Sequence, residues 1–392
     1  MRGTKLKLLL LAVVIATPSS LNAQSPEQSC LNTSTGFPPL THLADEPYLG
    51  TVPLGLFPGV RNHPPTVHGT EGAKRALGIR PLDASGNDNS AGKIVLMSVG
   101  MSNTSIEFHQ FVSRAAADFA VNHVDLEIVD AAQGGQSAAF WESQNASAYD
   151  VAAQRLASRG LSEAQVQIIW LKQANPVPQM ALPLSNADAV VLTRQLANIV
   201  RSCKLRYPNL ECVFFSSRIY AGYATTNLNA EPYAYESAFS IRWLIESQIQ
   251  QMDGGQPDPF IGDLDYHSVA PWLSWGPYLW ADGLTPRSDG LTWQCTDFAA
   301  DGTHPSQAGA VKVANHLIQF FLDSPFARAW FAARPFADLD LDGDQDGSDA
   351  EVFVEALLGT ETDPAIVARS DFNGDGGVDG RDMQLLILAL AS

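Results

Sequence analysis

A serine and a late histidine-bearing loop are the residues of this chain best suited to bond-breaking chemistry. Ser102 stands in the turn Gly100-Met101-Ser102-Asn103, and Asp301 and His304 stand in Asp301-Gly302-Thr303-His304-Pro305. A serine hydroxyl is a weak nucleophile until a histidine takes its proton and a carboxylate orients that histidine. An Asp and a His three residues apart on one loop can bring carboxylate to imidazole edge at little entropic cost. The chemistry expected of the three together is acyl transfer through Ser102.

A second group of residues offers hard oxygen ligands at a regular spacing. One loop places Asp338, Asp340, Asp342, Asp346 and Asp349 at positions 1, 3, 5, 9 and 12, with Gly343 at position 6. The other places Asp371, Asn373, Asp375, Asp379 and Asp382 at the same positions, with Gly376 at position 6. Position 7, Asp344 or Gly377, would contribute its backbone carbonyl. Six to eight oxygens around a sharp glycine turn suit Ca2+.

The elements that must position Ser102 and His304 are legible from hydrophobic runs. Lys93–Val99, Val124–Val129, Val166–Leu171 and Cys212–Phe215 are short apolar stretches of the kind a strand buried on both faces requires. Segments with helical spacing lie between and after them, at Ile106–Ala120, Tyr149–Ser158, Ala187–Tyr207, Tyr233–Met252 and Ser306–Leu322. The alternation predicts an α/β domain with a parallel sheet covered by helices on both faces. In such sheets ligands bind at the carboxyl ends of the strands, and Ser102 falls just past the first one. The N-terminus of the following helix would favour negative charge developing there.

Residues 93 to about 322 resemble the SGNH (GDSL-like) hydrolase superfamily in four short blocks taken in order. The blocks are Val99-Gly100-Met101-Ser102-Asn103, Ala132-Gln133-Gly134-Gly135-Gln136-Ser137, Leu171-Lys172-Gln173-Ala174-Asn175-Pro176 and Asp301-Gly302-Thr303-His304-Pro305. The resemblance implies a three-layer, flavodoxin-like fold and an exported esterase or lipase activity. It implies Ser102 as nucleophile, His304 as base and Asp301 as its partner. The Ser102 and Gly135 backbone N–H groups and the Asn175 side-chain amide would hold the oxyanion, with Gly134 as the alternative glycine. Two departures stand out: Met101 replaces the family aspartate, and Gln173 and Pro176 replace the glycine and aspartate of the third block.

Each acidic loop is followed by an apolar helix, at Glu351–Leu358 and Met383–Leu390. This duplicated unit, with Asp at position 12, resembles a dockerin type I module. That resemblance implies calcium-driven folding of 336–392 and a cohesin-type protein partner.

Charge and the chain ends fit an exported protein. From Asp338 onward there are fourteen acids against Arg369 and Arg381, about −12 of the formal −18. Nucleic acid is excluded as a partner, because phosphate binding needs clustered Lys and Arg. Lys5 and Lys7, the run Leu8–Ala16 and the small residue Ala23 describe a cleavable export signal over 1–23. No later stretch is long and apolar enough to span a membrane. Residues 24–90, rich in Pro, Asn and Thr, read as an irregular arm ahead of a hydrolase domain at 91–330.

Four cysteines, Cys30, Cys203, Cys212 and Cys295, suggest disulfides outside the cytoplasm and are wrongly spaced for zinc. Sequence leaves three connectivities open; Cys203–Cys212 with Cys30–Cys295 is the simplest. The segment 253–301 reads as an aromatic insertion. Its Trp272, Trp275, Tyr278, Trp280 and Trp293 would serve either as packing or as a rim that stacks on sugar rings. His267, in the same insertion, is a weaker candidate for lining the cleft, and His109 and His123 lack an acidic partner nearby.

The expectation as a whole is a secreted serine esterase that removes acetyl or other small acyl groups from polysaccharides, anchored through a calcium-binding tail. The alternatives are a lipase or phospholipase-like esterase, which would need a broad apolar mouth, and a non-catalytic carbohydrate-binding or cell-surface protein with a decayed triad.

Overall fold

Every residue of four strands is buried, which is why they read as unbroken apolar runs. They are β1 (Ile94–Gly100), β3 (Val166–Lys172), β4 (Cys212–Phe215) and β5 (Trp272–Trp275), joined by the edge strand β2 (Leu126–Val129). The computed structural model describes residues 30–43 and 46–391. The expected export signal at 1–23 lies outside them.

The sheet is parallel throughout, in the order β2-β1-β3-β4-β5, which is the flavodoxin-like winding. The order reverses between β1 and β3, so the loops leaving these two neighbours diverge and open a crevice. In chain order the helices are α1 (Thr66–Gly78), α2 (Ser102–Ala115), α3 (Ser147–Ala157), α4 (Asp188–Arg206), α5 (Tyr233–Met252), α6 (Gln307–Asp323), the single turn α7 (Arg328–Phe331), α8 (Gly347–Leu357), α9 (Pro364–Ser370) and α10 (Asp382–Leu390). α2 packs with α6 and α4 with α5, covering the two faces. Between sheet and helix, the Phe108 and Trp170 rings stack 5.4 Å apart.

Several expectations need correction. The arm at 24–90 contains α1, whose interior Gly69 and Gly72 hide its period. The aromatic insertion contributes β5, paired in register with β4 from Cys212↔Trp272 to Phe215↔Trp275. Of the two bridges in the simplest pairing, Cys30–Cys295 forms, tying the N-terminal segment to the chain just before the Asp301–Pro305 loop, and Cys203–Cys212 does not. Cys203 and Cys212 are both free and buried. Cys203 faces the Tyr149 hydroxyl at 3.5 Å, and Cys212 occupies a sheet position between β3 and β5.

The tail is docked directly on the α/β domain. The Arg328 guanidinium lies over the rings of Phe336 and Phe372, at 4.6 and 5.3 Å, and its Nη2 donates to the Arg369 carbonyl at 2.6 Å. Thr66 Oγ1 donates to Asp375 Oδ2 at 2.6 Å, and a Cβ on Gly69 would lie 2.1 Å from the Asn373 carbonyl oxygen.

Candidate active site and metal loops

β1 ends at Gly100 and α2 begins at Ser102, so the serine is the first residue of a helix at a strand's carboxyl end. The turn is tight because a Cβ on residue 100 would meet Thr104 Oγ1 at 2.3 Å and the Lys172 carbonyl at 2.4 Å. Thr104 Oγ1 donates to that same carbonyl, which fixes the start of α2 against the end of β3. Beneath the turn lies a fully buried ion pair, Lys172 Nζ to the Glu107 carboxylate at 2.6 and 2.7 Å. Burial pushes the Lys172 ammonium down to about 8, and the Glu107 carboxylate only partly opposes that shift. One residue the sequence did not flag, Asp130, stitches the neighbouring loop to the turn. Its carboxylate accepts from Ser98 Oγ at 2.7 Å and from Ser105 Oγ at 2.9 Å.

The Asp301–Pro305 loop before α6 is shaped by its own aspartate. Asp301 Oδ1 accepts the N–H groups of Thr303 and His304, at 2.9 and 3.0 Å, while Oδ2 accepts from His304 Nδ1 at 2.5 Å. Gly302 makes the bend: its φ is +66°, and a Cβ there would lie 1.9 Å from the Tyr223 carbonyl oxygen. Ser102 Oγ donates to His304 Nε2 at 2.8 Å. The carboxylate sets the tautomer, with the proton on Nδ1 and the Nε2 lone pair facing the serine. Partial burial raises the Asp301 carboxyl, but hydrogen bonds from the His304 ring and from the His304 and Thr303 N–H groups outweigh it. The net shift is below the ordinary carboxylate range, so Asp301 stays ionised.

The relay opens onto a pocket of about 80 Å3 at the β1/β3 switch point. Met101, Ala174, Pro176 and Leu228 form its apolar walls, and Ser102, Gly135 and Asn175 all border it. Gly135 is exposed with φ +77°, and Gly134 does not line the pocket. Neither the Ser102 nor the Gly135 backbone N–H has a protein acceptor among the described residues. Asn175 differs from the expectation of a free donor. Its Nδ2 already donates to Gln195 Oε1 at 2.8 Å and to Asp188 Oδ1 at 3.1 Å, which uses both amide hydrogens.

Other candidates fall away from this pocket. Trp272, Trp280 and Trp293 are 0% exposed, and Trp275 and Tyr278 are also buried, so these rings are core and form no sugar-stacking rim. His267 is exposed and lines a separate surface cleft, and His109 and His123 are exposed as well.

The acidic loops have the donor set a divalent cation needs. Carboxylate oxygens of Asp338, Asp340 and Asp342 lie within 4.8 Å of one another, as do those of Asp344, Asp346 and Asp349. Asp338 Oδ1 is buried with no hydrogen-bond partner, a state that costs free energy unless a cation occupies its lone pairs. Gly343 and Gly376 make the position-6 turns with φ of +104° and +97°. In the second loop Asp371, Asn373 and Asp382 accept backbone N–H groups that hold the loop in its turn. The Asp344 carboxylate groups with those of Asp346 and Asp349, although its backbone carbonyl was the expected ligand. Among the described residues, no helix is long and apolar enough to cross a membrane.

Residues 336–391 match the family model for the Dockerin type I domain. No curated protein matches the chain. Among solved structures, the salicylyl-acyltransferase SsfX3 from a tetracycline biosynthetic pathway shares 15% identity at a TM-score of 0.29. That match covers 60% of this chain and 55% of the acyltransferase, so the chain spans little over half the length of that structure. An extracellular lipase from Streptomyces rimosus shares 11% identity at a TM-score of 0.27, covering 57% of this chain and 99% of the lipase. The chain thus joins an α/β domain that holds a serine–histidine–aspartate relay to a C-terminal segment that matches the Dockerin type I domain.

Proposed function

We propose that this protein is a secreted serine esterase of SGNH type that removes small acyl groups from a polysaccharide. The observation that carries the esterase assignment is the continuous relay from Asp301 through His304 to Ser102, at 2.5 and 2.8 Å, ending at a small, mostly apolar pocket. Ser102 Oγ attacks the ester carbonyl carbon as His304 Nε2 takes the hydroxyl proton. The tetrahedral oxyanion is held by the N–H groups of Ser102 and Gly135, each worth about 3 kcal/mol in the transition state. Asn175 joins them by exchanging its longer hydrogen bond, to Asp188, for one to the oxyanion. The C–O bond to the alcohol then breaks, and His304 returns the proton to the departing alkoxide. Water deprotonated by His304 attacks the acyl-serine, and the free acid and Ser102 hydroxyl are regenerated.

The pocket volume favours a short acyl group over a lipid chain, since sites for drug-sized ligands usually enclose about 300–1,000 Å3. The carbohydrate assignment rests on the dockerin-like tail alone, because the tryptophans are core. In that tail, Ca2+ bound by the two acidic loops would neutralise the clustered carboxylates and hold α8 and α10 in place. Val354 on α8, Leu358 at its C-cap, and Ile387 and Leu388 on α10 are exposed apolar residues and offer contacts for a cohesin-type partner.

The test compares native protein with Ser102→Ala on p-nitrophenyl acetate and on acetylated xylan. Native protein should release p-nitrophenol and acetate, and the variant should lose on the order of 10^4-fold or more in kcat. Equal rates for the two proteins would overturn the assignment. Native activity confined to long-chain esters would turn it towards lipids.

A further inference from the structure

The two acidic loops are alike in sequence and unlike in their surroundings. In the first, residues 340–344, which hold positions 3 to 7, are all exposed, and a Cβ on Gly343 would meet nothing within 4 Å. Arg334, just ahead of the tail, donates to the Leu341 carbonyl at 3.0 Å and lies 3.9 Å from Asp338 Oδ2. A pair on so exposed a side chain holds a loop weakly.

In the second loop the same turn is seated in a notch of the α/β domain. A Cβ on Gly374, at position 4, would lie 2.7 Å from the Phe326 ring and 3.0 Å from Pro325, and one on Gly376 would lie 2.9 Å from the His63 ring. Gly374 and its counterpart Leu341 share a left-handed φ, +64° and +66°, so space rather than backbone demands the glycine. Asn373, at position 3, is 0% exposed, and its carbonyl oxygen would touch any side chain at Gly69 of α1.

One of these contacts reaches a side chain expected to hold the ion. Thr66, the first residue of α1, donates from Oγ1 to Asp375 Oδ2 at 2.6 Å, and Asn373 Nδ2 donates to the same oxygen at 3.3 Å. Asp375 Oδ1 accepts no hydrogen bond among the described residues, which leaves that oxygen for a cation. Side-chain oxygens of Asp371 and Asn373 both accept from the Asp375 N–H, at 3.1 and 2.8 Å, so positions 1 and 3 converge on position 5.

We propose that Thr66 is a positioning residue of the second calcium loop, so that the affinity of this loop for Ca2+ is set in part by the α/β domain. This rests on the reading of both loops as calcium sites and adds to it a residue outside the tail. The Thr66 hydroxyl fixes the Asp375 carboxylate in advance, so less conformational freedom is lost when the ion arrives. The first loop, with more carboxylates, draws on charge where the second draws on rigidity. Linkage makes the effect mutual: docking of the tail raises Ca2+ affinity by the factor through which Ca2+ strengthens docking.

Calorimetric titration of the chelator-stripped full chain with Ca2+ tests this. Asp342→Ala removes position 5 of the first loop, so the binding that remains reports the second. In that background Thr66→Val, which keeps the shape and loses the hydroxyl, should weaken Ca2+ binding about tenfold or more, as loss of an outer-shell partner does. Thr66→Ser should restore the affinity, and Gly69→Ala, which pushes the Asn373 carbonyl aside, should lower it. With the second loop disabled instead by Asp375→Ala, Thr66→Val should leave the first-loop affinity unchanged. An unaltered affinity in Asp342→Ala/Thr66→Val overturns the inference. So does an equal loss in the Asp375→Ala background, since Thr66 would then only support the fold of the tail. Failure of Thr66→Ser to restore binding also counts against it, because the hydroxyl would not be the acting group. A native chain that takes up no Ca2+ would instead sink the calcium reading of both loops.

Discussion

Asp301 uses one oxygen to fold its own loop and the other to orient His304, so its two roles cannot be removed separately by deletion. Asp301→Asn keeps the size but presents an amide to Nδ1, favouring the wrong tautomer. We expect kcat on p-nitrophenyl acetate to fall on the order of 10^4-fold with the protein still folded. A loss below about tenfold would mean that His304 does not depend on this carboxylate. Asn175→Ala should cost about 10^2–10^3 in kcat with little change in KM, the size of one oxyanion donor. A smaller loss would mean that the amide stays with Asp188 and Gln195 and that the hole has two donors. The Asp-Gly-Thr-His loop was readable because its partners are close in sequence and Gly302 has a local reason to be glycine. Asp130 was not, since a single aspartate after β2 gives no pattern until the fold sets it beside Ser98 and Ser105.

The elements that sequence patterns found share one property: their apolar periodicity is local. The four strands β1 to β4 and the helices α3 to α6 lie within about two residues of their expected limits, while α2, expected at Ile106–Ala120, runs from Ser102 to Ala115. α1 and β5 were hidden for a common reason. Gly72 interrupts the helical pattern because the Trp272 ring of β5 fills the space its side chain would need, with a Cβ reaching 2.2 Å from that ring. Each element therefore makes sense only beside the other. On propensity alone, Gly72→Ala should stabilise a helix by about 1 kcal/mol. Here we expect the reverse, a loss of about 1–3 kcal/mol from overpacking, read from the urea midpoint. A stabilised variant would mean that α1 can lift from Trp272 without cost.

At the scale of the whole molecule, the acidic tail and the α/β domain are joined by side-chain contacts. Chelation should therefore reach beyond the loops it empties. Removing calcium is expected to abolish hydrogen-exchange protection in 336–391 and to lower it in 66–78, through Thr66 and Gly69, while Ser102-dependent hydrolysis of a small ester persists. Unchanged protection in both segments would rule out calcium as the element that holds the tail. The loop spacings were plain in the sequence, because five oxygen positions and a glycine repeat at matched intervals. The docking was not, because it depends on Arg328 being seated over Phe336 and Phe372. That seat ties the tail bearing α8 and α10 to the domain whose pocket opens above Ser102. A partner that gripped those helices would also set the direction in which that pocket faces. On the esterase reading, the domain would not sweep a neighbourhood on a slack tether, and ester groups would be carried to Ser102 by motion of the substrate or of the support.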